Sequence, residues 1–277
     1  MTQNRSIGGG NEPQGVDTSV ANPARVWNYW VGGKDHFAAD REAAERVLEL
    51  LPHMRLLAQL TRRFLIDTVH QLAANGIRQF LDIGTGLPTA DNTHEVAQRV
   101  APDSRIVYVD NDPVVISHAQ ALLPGTTKGV IDYLDADLRD YATILTEAKR
   151  VLDFSQPIAV LLIGVLHFIA ESDDPHRIVA RLMDAVPSGS YLAIVHGASD
   201  IQAEAVAESS RTYNQMSSVP YTPRTRKQVA RFFEGLDLVD PGVVPIGQRR
   251  SLSRPDASIG TGLPDGGTSY CGIGKKR

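Results

Sequence analysis

Phe80 to Thr89 reads FLDIGTGLPT. A short apolar run ends around an acid, Asp82, and passes through Gly84, Thr85 and Gly86 towards a stretch with helical spacing. Glycines let the chain turn tightly and let a ligand approach the backbone, and the N-terminus of a following helix offers free N–H groups to an anion. A GxG pair alone is a weak motif. The third glycine of a dinucleotide fingerprint is missing, with Thr89 in its place, which disfavours a nicotinamide cofactor. The Asp82 carboxylate gains nothing from a pyrophosphate but would gain from a ligand carrying cationic groups.

Downstream of Gly76, short β-rich runs (IRQFLDI, SRIVYVD, GVIDYLDAD, PIAVLLIGVL and GSYLAIVHG) alternate with helical candidates near 90–100, 112–123, 140–151 and 173–186. Near-continuous apolar strands separated by helices of this length predict βαβ units, and so a parallel sheet covered on both faces. Upstream, PARVWNYW, AADREAAERVLELL and MRLLAQLTRRFLIDTVHQLAANG repeat apolar residues at three and four, as amphipathic helices do. The ending differs. TPRTRKQVARFFEGL reads as a helix capped by Thr222 with Pro223 in its first turn, followed by LDLVDPGVVPI and TSYCGIG. No helix fits between these last two runs, so an antiparallel pair is expected. Segment 249–268 reads as polar and loose, and residues 1–21 as a disordered tail. The expected organisation is one domain over 22–277, with a helical lid at 22–75 and the α/β core at 76–277.

Composition narrows the class. Hydrophobic residues at 42% and charged residues at 22% of 277 exclude a wholly disordered, collagen-like or coiled-coil chain. The longest apolar run, Ile158 to Leu166, is far shorter than the roughly 20 residues of a bilayer span. The first residues lack the apolar centre of a signal peptide, and the single cysteine, Cys271, has no internal partner, so the cytoplasm is the expected compartment. With 28 basic against 32 acidic residues, no global excess attracts nucleic acid or an acidic membrane, and recognition in a pocket is expected.

The second strand ends in YVDND, where Asp110 lies 24 residues after Gly86, near the ~20 expected for an acid that accepts from a ribose diol. The third leads into DADLRD, whose Asp137 suits an adenine amino group while Leu138 packs on the ring. S-adenosylmethionine fits this set, with an ammonium for the Asp82 region, a carboxylate for the helix N-terminus and no phosphate to oppose three acids. Two milder readings stand beside these: Asp82 as a cap for the next helix, and Asp137 as a cap for the helix starting near Asp140.

The order LDIGTGLPT, VYVDNDP, ADLRD and VLHFI, closed by an antiparallel pair, resembles a Rossmann-like class I S-adenosylmethionine-dependent methyltransferase. PARVWNYWVGGKDHFAADREAAERV and QFLDIGTGLPTADNTHEVAQRVAP are similar to a bacterial family known only as S-adenosyl methyltransferases. The resemblance runs from about Pro23 to the C-terminus. It implies a doubly wound, mostly parallel sheet with an antiparallel C-terminal strand, and cofactor contacts by Asp82, Gly84, Gly86, Asp110, Asn111 and Asp137; Thr85, between the two glycines, and Leu138 complete the expected cofactor site. It does not supply the acceptor, which is expected to be a small molecule.

Methyl transfer from a sulfonium needs alignment and a dry pocket more than it needs catalytic groups. Where an acceptor of high pKa calls for a base, the candidates in order are His167, His196 and His36, against the reading of the first two as satisfied structural histidines. The loop Gly32 to His36 is read as part of the lid. Trp27, Tyr29 and Trp30 are read as core residues, with cation–π contact to a sulfonium as the alternative. Arg224, Arg226, Lys227, Arg231 and the tail from Lys275 to Arg277 are read as solvated. The remaining histidines show no metal-ligand spacing. A protein that binds the cofactor as a sensor or partner, without transfer, is the rival reading.

Overall fold

In the computed structural model of the protein, residues 16–121, 129–249 and 262–277 are described. Three helices come first: α1 (Pro23–Trp30), α2 (Ala38–Leu50) and α3 (Met54–Ala74). The alternating part follows as β1 (Gln79–Ile83), α4 (Thr93–Val100), β2 (Arg105–Asp110), α5 (Pro113–Ala121), β3 (Val130–Asp135), α6 (Tyr141–Ala148), β4 (Ala159–Ile163), α7 (Pro175–Ala185) and β5 (Tyr191–Gly197). The ending comprises α8 (Ala203–Met216), α9 (Arg226–Arg231), β6 (Leu236–Leu238), β7 (Val244–Pro245) and β8 (Ser269–Lys276).

The strands lie in the order β3-β2-β1-β4-β5-β8-β6, with β7 also paired to β8. β1 to β5 are parallel, and β8 runs antiparallel to β5, β6 and β7. This is the expected Rossmann-like sheet with an antiparallel end. Chain order reverses between β1 and β4, the switch point where open α/β sheets leave a crevice beyond the strands' carboxyl ends. LDLVDPGVVPI is not one run: a turn from Val239 to Gly242, closed by Gly242 N–H donating to the Val239 carbonyl at 2.9 Å, separates β6 from β7.

Strand residues alternate between two cores, as a period of two requires. Phe80, Ile106, Leu161 and Val195 face one cluster, and Leu81, Val107, Leu162 and Ile194 face the other. On the first face lies α3, whose Phe64, Leu65, Val69 and Leu72 pack in the same cluster as Phe80. Its 21 residues therefore cover this face of the sheet. α1 starts where Asn22 Oδ1 accepts from Ala24 N–H at 2.9 Å, with Pro23 in the first turn; such a cap contributes about 1 kcal/mol.

Several boundaries move. Ala21 is fully buried and bridges to Ser217, so the tail ends before it. Residues 1–15, and 250–261 of the loose segment, lie outside the described residues. Thr225 caps α9, through its side chain and Gln228, because Thr222 and Pro223 belong to the extended approach. Arg224 is 1% exposed, not solvated: the chain turns its guanidinium inward between the ends of β4 and β5. Lys276 belongs to β8 and its Nζ donates to the Met183 and Val186 carbonyls at the end of α7. α8, which sequence periodicity did not reveal, packs against α2.

Candidate functional site

A cavity opens over the carboxyl ends of β1, β2 and β4 and is walled on its far side by α1, α2, the first half of α3, and α8. Gly84 and Gly86 line it with positive φ of 73° and 65°. A Cβ on Gly84 would stand 2.5 Å from Val165, so both conformation and packing demand glycine there. A Cβ on Gly86 would meet nothing within 4 Å, which leaves open space against bare backbone. The helix does not follow at once. Residues 87–92 are non-helical, and the start of α4 is closed by Asn92 and Glu95, whose carboxylate accepts from Asn92 N–H at 2.7 Å.

Asp110 is half-buried and lines the cavity. Its Oδ2 accepts from Gly86 N–H at 2.8 Å and its Oδ1 from Asp112 N–H at 3.0 Å, so the second strand's acid pins the glycine turn. Burial raises its pKa. A carboxylate has about four lone-pair sites, and room remains for hydroxyl donors. Asp137 is more occupied: Oδ1 accepts from Arg139 N–H and Nε at 2.8 and 2.9 Å, and Oδ2 from Arg139 Nη2 and Asn111 Nδ2 at 2.6 and 3.0 Å. These bonds, those of Arg139 first, hold its carboxyl below the usual range. An adenine amino group there must displace a donor. Asp140, not Asp137, caps α6 by accepting from Thr143 N–H at 3.2 Å.

Asp82 is buried, and its Oδ2 accepts from the Thr93 hydroxyl at 2.6 Å. Burial pushes its pKa up to about 6, opposed by the Thr93 bond and by the Arg62 guanidinium. Arg62, on α3, also lines the cavity and donates through Nη2 to the carbonyls of Ala90 and Asp91 at 3.1 and 3.0 Å. It places a cation beside the glycine turn, where a ligand carboxylate was expected to rely on a helix N-terminus.

The sequence model of a family described as S-adenosyl methyltransferase matches residues 9–277. The chain belongs to the S-adenosyl methyltransferase family. The solved structure of a DUF574 family protein from Streptomyces avermitilis is 40% identical, with TM-score 0.89, covering 94% of this chain and 99% of that one. A protein from Thermobifida fusca YX, described as a candidate methyltransferase, is 38% identical with TM-score 0.84, covering 96% of this chain and 98% of that one. No curated protein is similar enough to match. The methyltransferase therefore takes S-adenosylmethionine as its methyl donor. The space over Gly86 and the three acids suits a cationic nucleoside without phosphate, so the residues present fit this cofactor.

The three histidines proposed as bases have separate fates. His167 is buried and lines the cavity. His196 does not line it: Nδ1 meets the Gly197 carbonyl at 2.9 Å and Nε2 meets Arg224 Nη1 at 2.9 Å, and burial pushes its pKa down to about 3. It is a satisfied structural histidine. His36 lies outside the cavity, with its ring beside Tyr29 and its Nδ1 3.3 Å from Arg41 Nη1. The whole loop from Gly32 to His36 stays off the cavity wall, held by the Asn28 side chain, which accepts from Asp35 N–H at 3.0 Å. The reading of that loop as the lid is corrected: α1 itself carries the wall, and Trp27 and Trp30, read as plain core, both face the cavity.

Sequence reasoning missed Arg62 and the wall from α8 and its following loop, where Ser209, Ser210, Tyr213 and Tyr221 line the cavity. The only hint in α8 is Val206 and Tyr213, seven residues apart amid Ala, Ser and Glu. Among the described residues no cluster of three or more His, Cys, Asp or Glu could hold a metal, and no helix is long and apolar enough to cross a membrane.

Proposed function

We propose that this S-adenosylmethionine-dependent methyltransferase acts on a small molecule enclosed between α1, α8 and the carboxyl edge of the sheet. The observation that carries this is one cavity bounded both by the glycine turn with its acids and by the aromatic wall of α1 and α8. Asp110 receives the ribose hydroxyls, Gly84, Thr85 and Gly86 present backbone to the cofactor, Leu138 packs on the adenine, and Asp137 with Asn111 meets its polar edge. Asp82 supports the ammonium, and Arg62 takes the carboxylate. Bound S-adenosylmethionine supplies a sulfonium methyl group open to displacement. The chain's own part is to align the acceptor with that carbon and to exclude water, through Trp27, Trp30, Phe168 and Tyr213. The buried free thiol of Cys271, its pKa pushed up to about 12 by burial, is compatible with a reducing cytoplasm.

The test is formation of S-adenosylhomocysteine when the protein and S-adenosylmethionine are incubated with the low-molecular-weight and the macromolecular fractions of extracts of the producing cell. Turnover is expected with the first fraction. Turnover with the second alone overturns the small-molecule reading, and tight cofactor binding with turnover in neither supports a sensor.

A further inference from the structure

His167 has a hydrogen-bonding pattern dictated by groups that allow no alternative. Arg224 lies at the start of the chain of contacts: its guanidinium donates to Glu171 Oε1 at 2.6 Å and to the carbonyls of Leu166 and Ile169 at 2.9 and 2.8 Å. Its Nη1 also meets His196 Nε2 at 2.9 Å. Arginine has only donors, so His196 Nε2 accepts, and the neutral ring carries its hydrogen on Nδ1, where it donates to the Gly197 carbonyl. The same peptide region sets the next ring. Gly197 N–H, a donor only, points at His167 Nδ1 at 3.3 Å, so that nitrogen accepts. Burial first, then His196 and Arg224, hold the His167 pKa well below the usual range, and the neutral ring carries its hydrogen on Nε2. Nε2 has no hydrogen-bond partner among the described residues.

The surrounding wall has no charge to offer. The charged lining residues are Asp82, Asp110, Asp137, Arg62 and Arg139, all at the tips of β1 to β3 or on α3. Around His167 stand Phe168 and Tyr221, with ring centroids 4.5 and 4.8 Å away, and Tyr213 lies 6.2 Å beyond Tyr221. An ion brought there loses hydration without an opposite charge to meet it. Rings alone would tolerate a cation, but an unpaired N–H on a cavity-lining residue repels one.

We infer that the methyl acceptor is an uncharged, flat, apolar molecule with a hydrogen-bond acceptor atom, and that His167 binds it as a donor through Nε2 and does not serve as the base: a neutral lone pair of the acceptor forms the bond to the methyl carbon as the carbon–sulfur bond breaks, the sulfur keeps that electron pair as S-adenosylhomocysteine, and any proton on the methylated atom is lost to water after release. This rests on the small-molecule reading above and sharpens it. His167 is then a specificity residue: it selects an acceptor atom and excludes anything that must donate at that point.

Two measurements on the full chain test this. Long-range 1H–15N correlation spectra of histidine-labelled protein, assigned with His167→Gln and His196→Gln, should show His167 neutral with hydrogen on Nε2 and His196 neutral with hydrogen on Nδ1 at neutral pH. A protonated His167, or one with its hydrogen on Nδ1, overturns the inference. Calorimetry on protein saturated with S-adenosylhomocysteine then compares 2-acetylnaphthalene, 2-ethylnaphthalene and 2-naphthoate as probes. The ketone should bind roughly tenfold tighter than the ethyl compound, the worth of about one buried hydrogen bond, and the carboxylate should not bind. His167→Leu should erase the ketone's advantage and His167→Gln should keep part of it. A carboxylate that binds as well as the ketone, an advantage that survives His167→Leu, or no binding by any probe overturns the inference. S-adenosylhomocysteine binding is measured first, so its absence would count against the cofactor site and not against His167.

Discussion

Arg25 Nε on α1 stands 3.7 Å from Asp112 Oδ2 at the start of α5, with both side chains buried, and 3.6 Å from Asp40 Oδ1 on α2. This joins the N-terminal helices to the segment that carries Asp110. Asp40 also accepts from the N–H groups of Asn22 and Phe37 at 2.9 and 2.7 Å, so one carboxylate organises the entries to α1 and α2. Burial raises the pKa of Asp112, and Arg25 opposes the rise. Replacing Arg25 by Met leaves two buried carboxylates without their cation, which should cost about 3 kcal/mol in denaturant unfolding. Cofactor affinity should fall with it, because Asp112 N–H braces Asp110. Unchanged stability would show that the contact does not join the helices to the core.

Asp82 should give an inverted pH dependence. Its folded pKa, about 6, lies above the ordinary value of about 3.9, so between these the folded state keeps a proton that the unfolded chain has lost. Its contribution to stability is fully present below about pH 4 and is lost as the pH rises to about 6. A cationic ligand favours the carboxylate, so cofactor binding near pH 6 should release protons and tighten towards pH 7.5. Calorimetry in buffers of different ionisation enthalpy measures the release, and Asp82→Asn should reduce it to the share of Asp110, which burial shifts in the same direction.

The two glycines of the turn should respond unequally. Gly84→Ala meets both the left-handed conformation and Val165, and should cost more than the ~1 to 2 kcal/mol of conformation alone. Gly86→Ala should cost only about that conformational amount in stability, yet should weaken S-adenosylhomocysteine binding, since its methyl group enters the space the ligand needs. Unfolding midpoints and binding isotherms of the two variants separate these effects.

Asp110→Asn should weaken S-adenosylmethionine binding by about 1.5 to 3 kcal/mol, the range for hydrogen bonds to a charged group. An unchanged dissociation constant in a folded variant removes Asp110 from the ribose site.

Both tryptophans of the chain line the cavity, so intrinsic emission reports on it. Saturation with S-adenosylhomocysteine should shift the emission and reduce quenching by acrylamide, mainly through half-buried Trp27. The Trp30 indole, with Nε1–H donating to the Ala44 carbonyl at 3.3 Å, should change less, which Trp27→Phe would show.

The parallel sheet, its antiparallel end and the residues of the glycine turn were legible in the sequence because each rests on local pattern. Buried strands repeat apolar residues, helices repeat them at three and four, and the strand-end acids and glycines lie at the loops where such sheets bind ligands. What each polar side chain meets is not local. His167 and His196 each follow or end a strand at the same sheet edge, yet one faces the cavity and the other is enclosed, because Arg224, 28 residues beyond His196 in sequence, turns inward to meet its Nε2. Gly32 to His36 carries a cluster of polar residues that suggests a site, but Asn28 folds that loop back on α1. Arg62 and Tyr221 are ordinary residues of a helix and a loop until α3 and the segment after α8 come over the strand tips. Sequence determined the backbone frame through short-range periodicity. Tertiary structure decided burial, protonation and aim, because these depend on contacts between segments far apart in the chain.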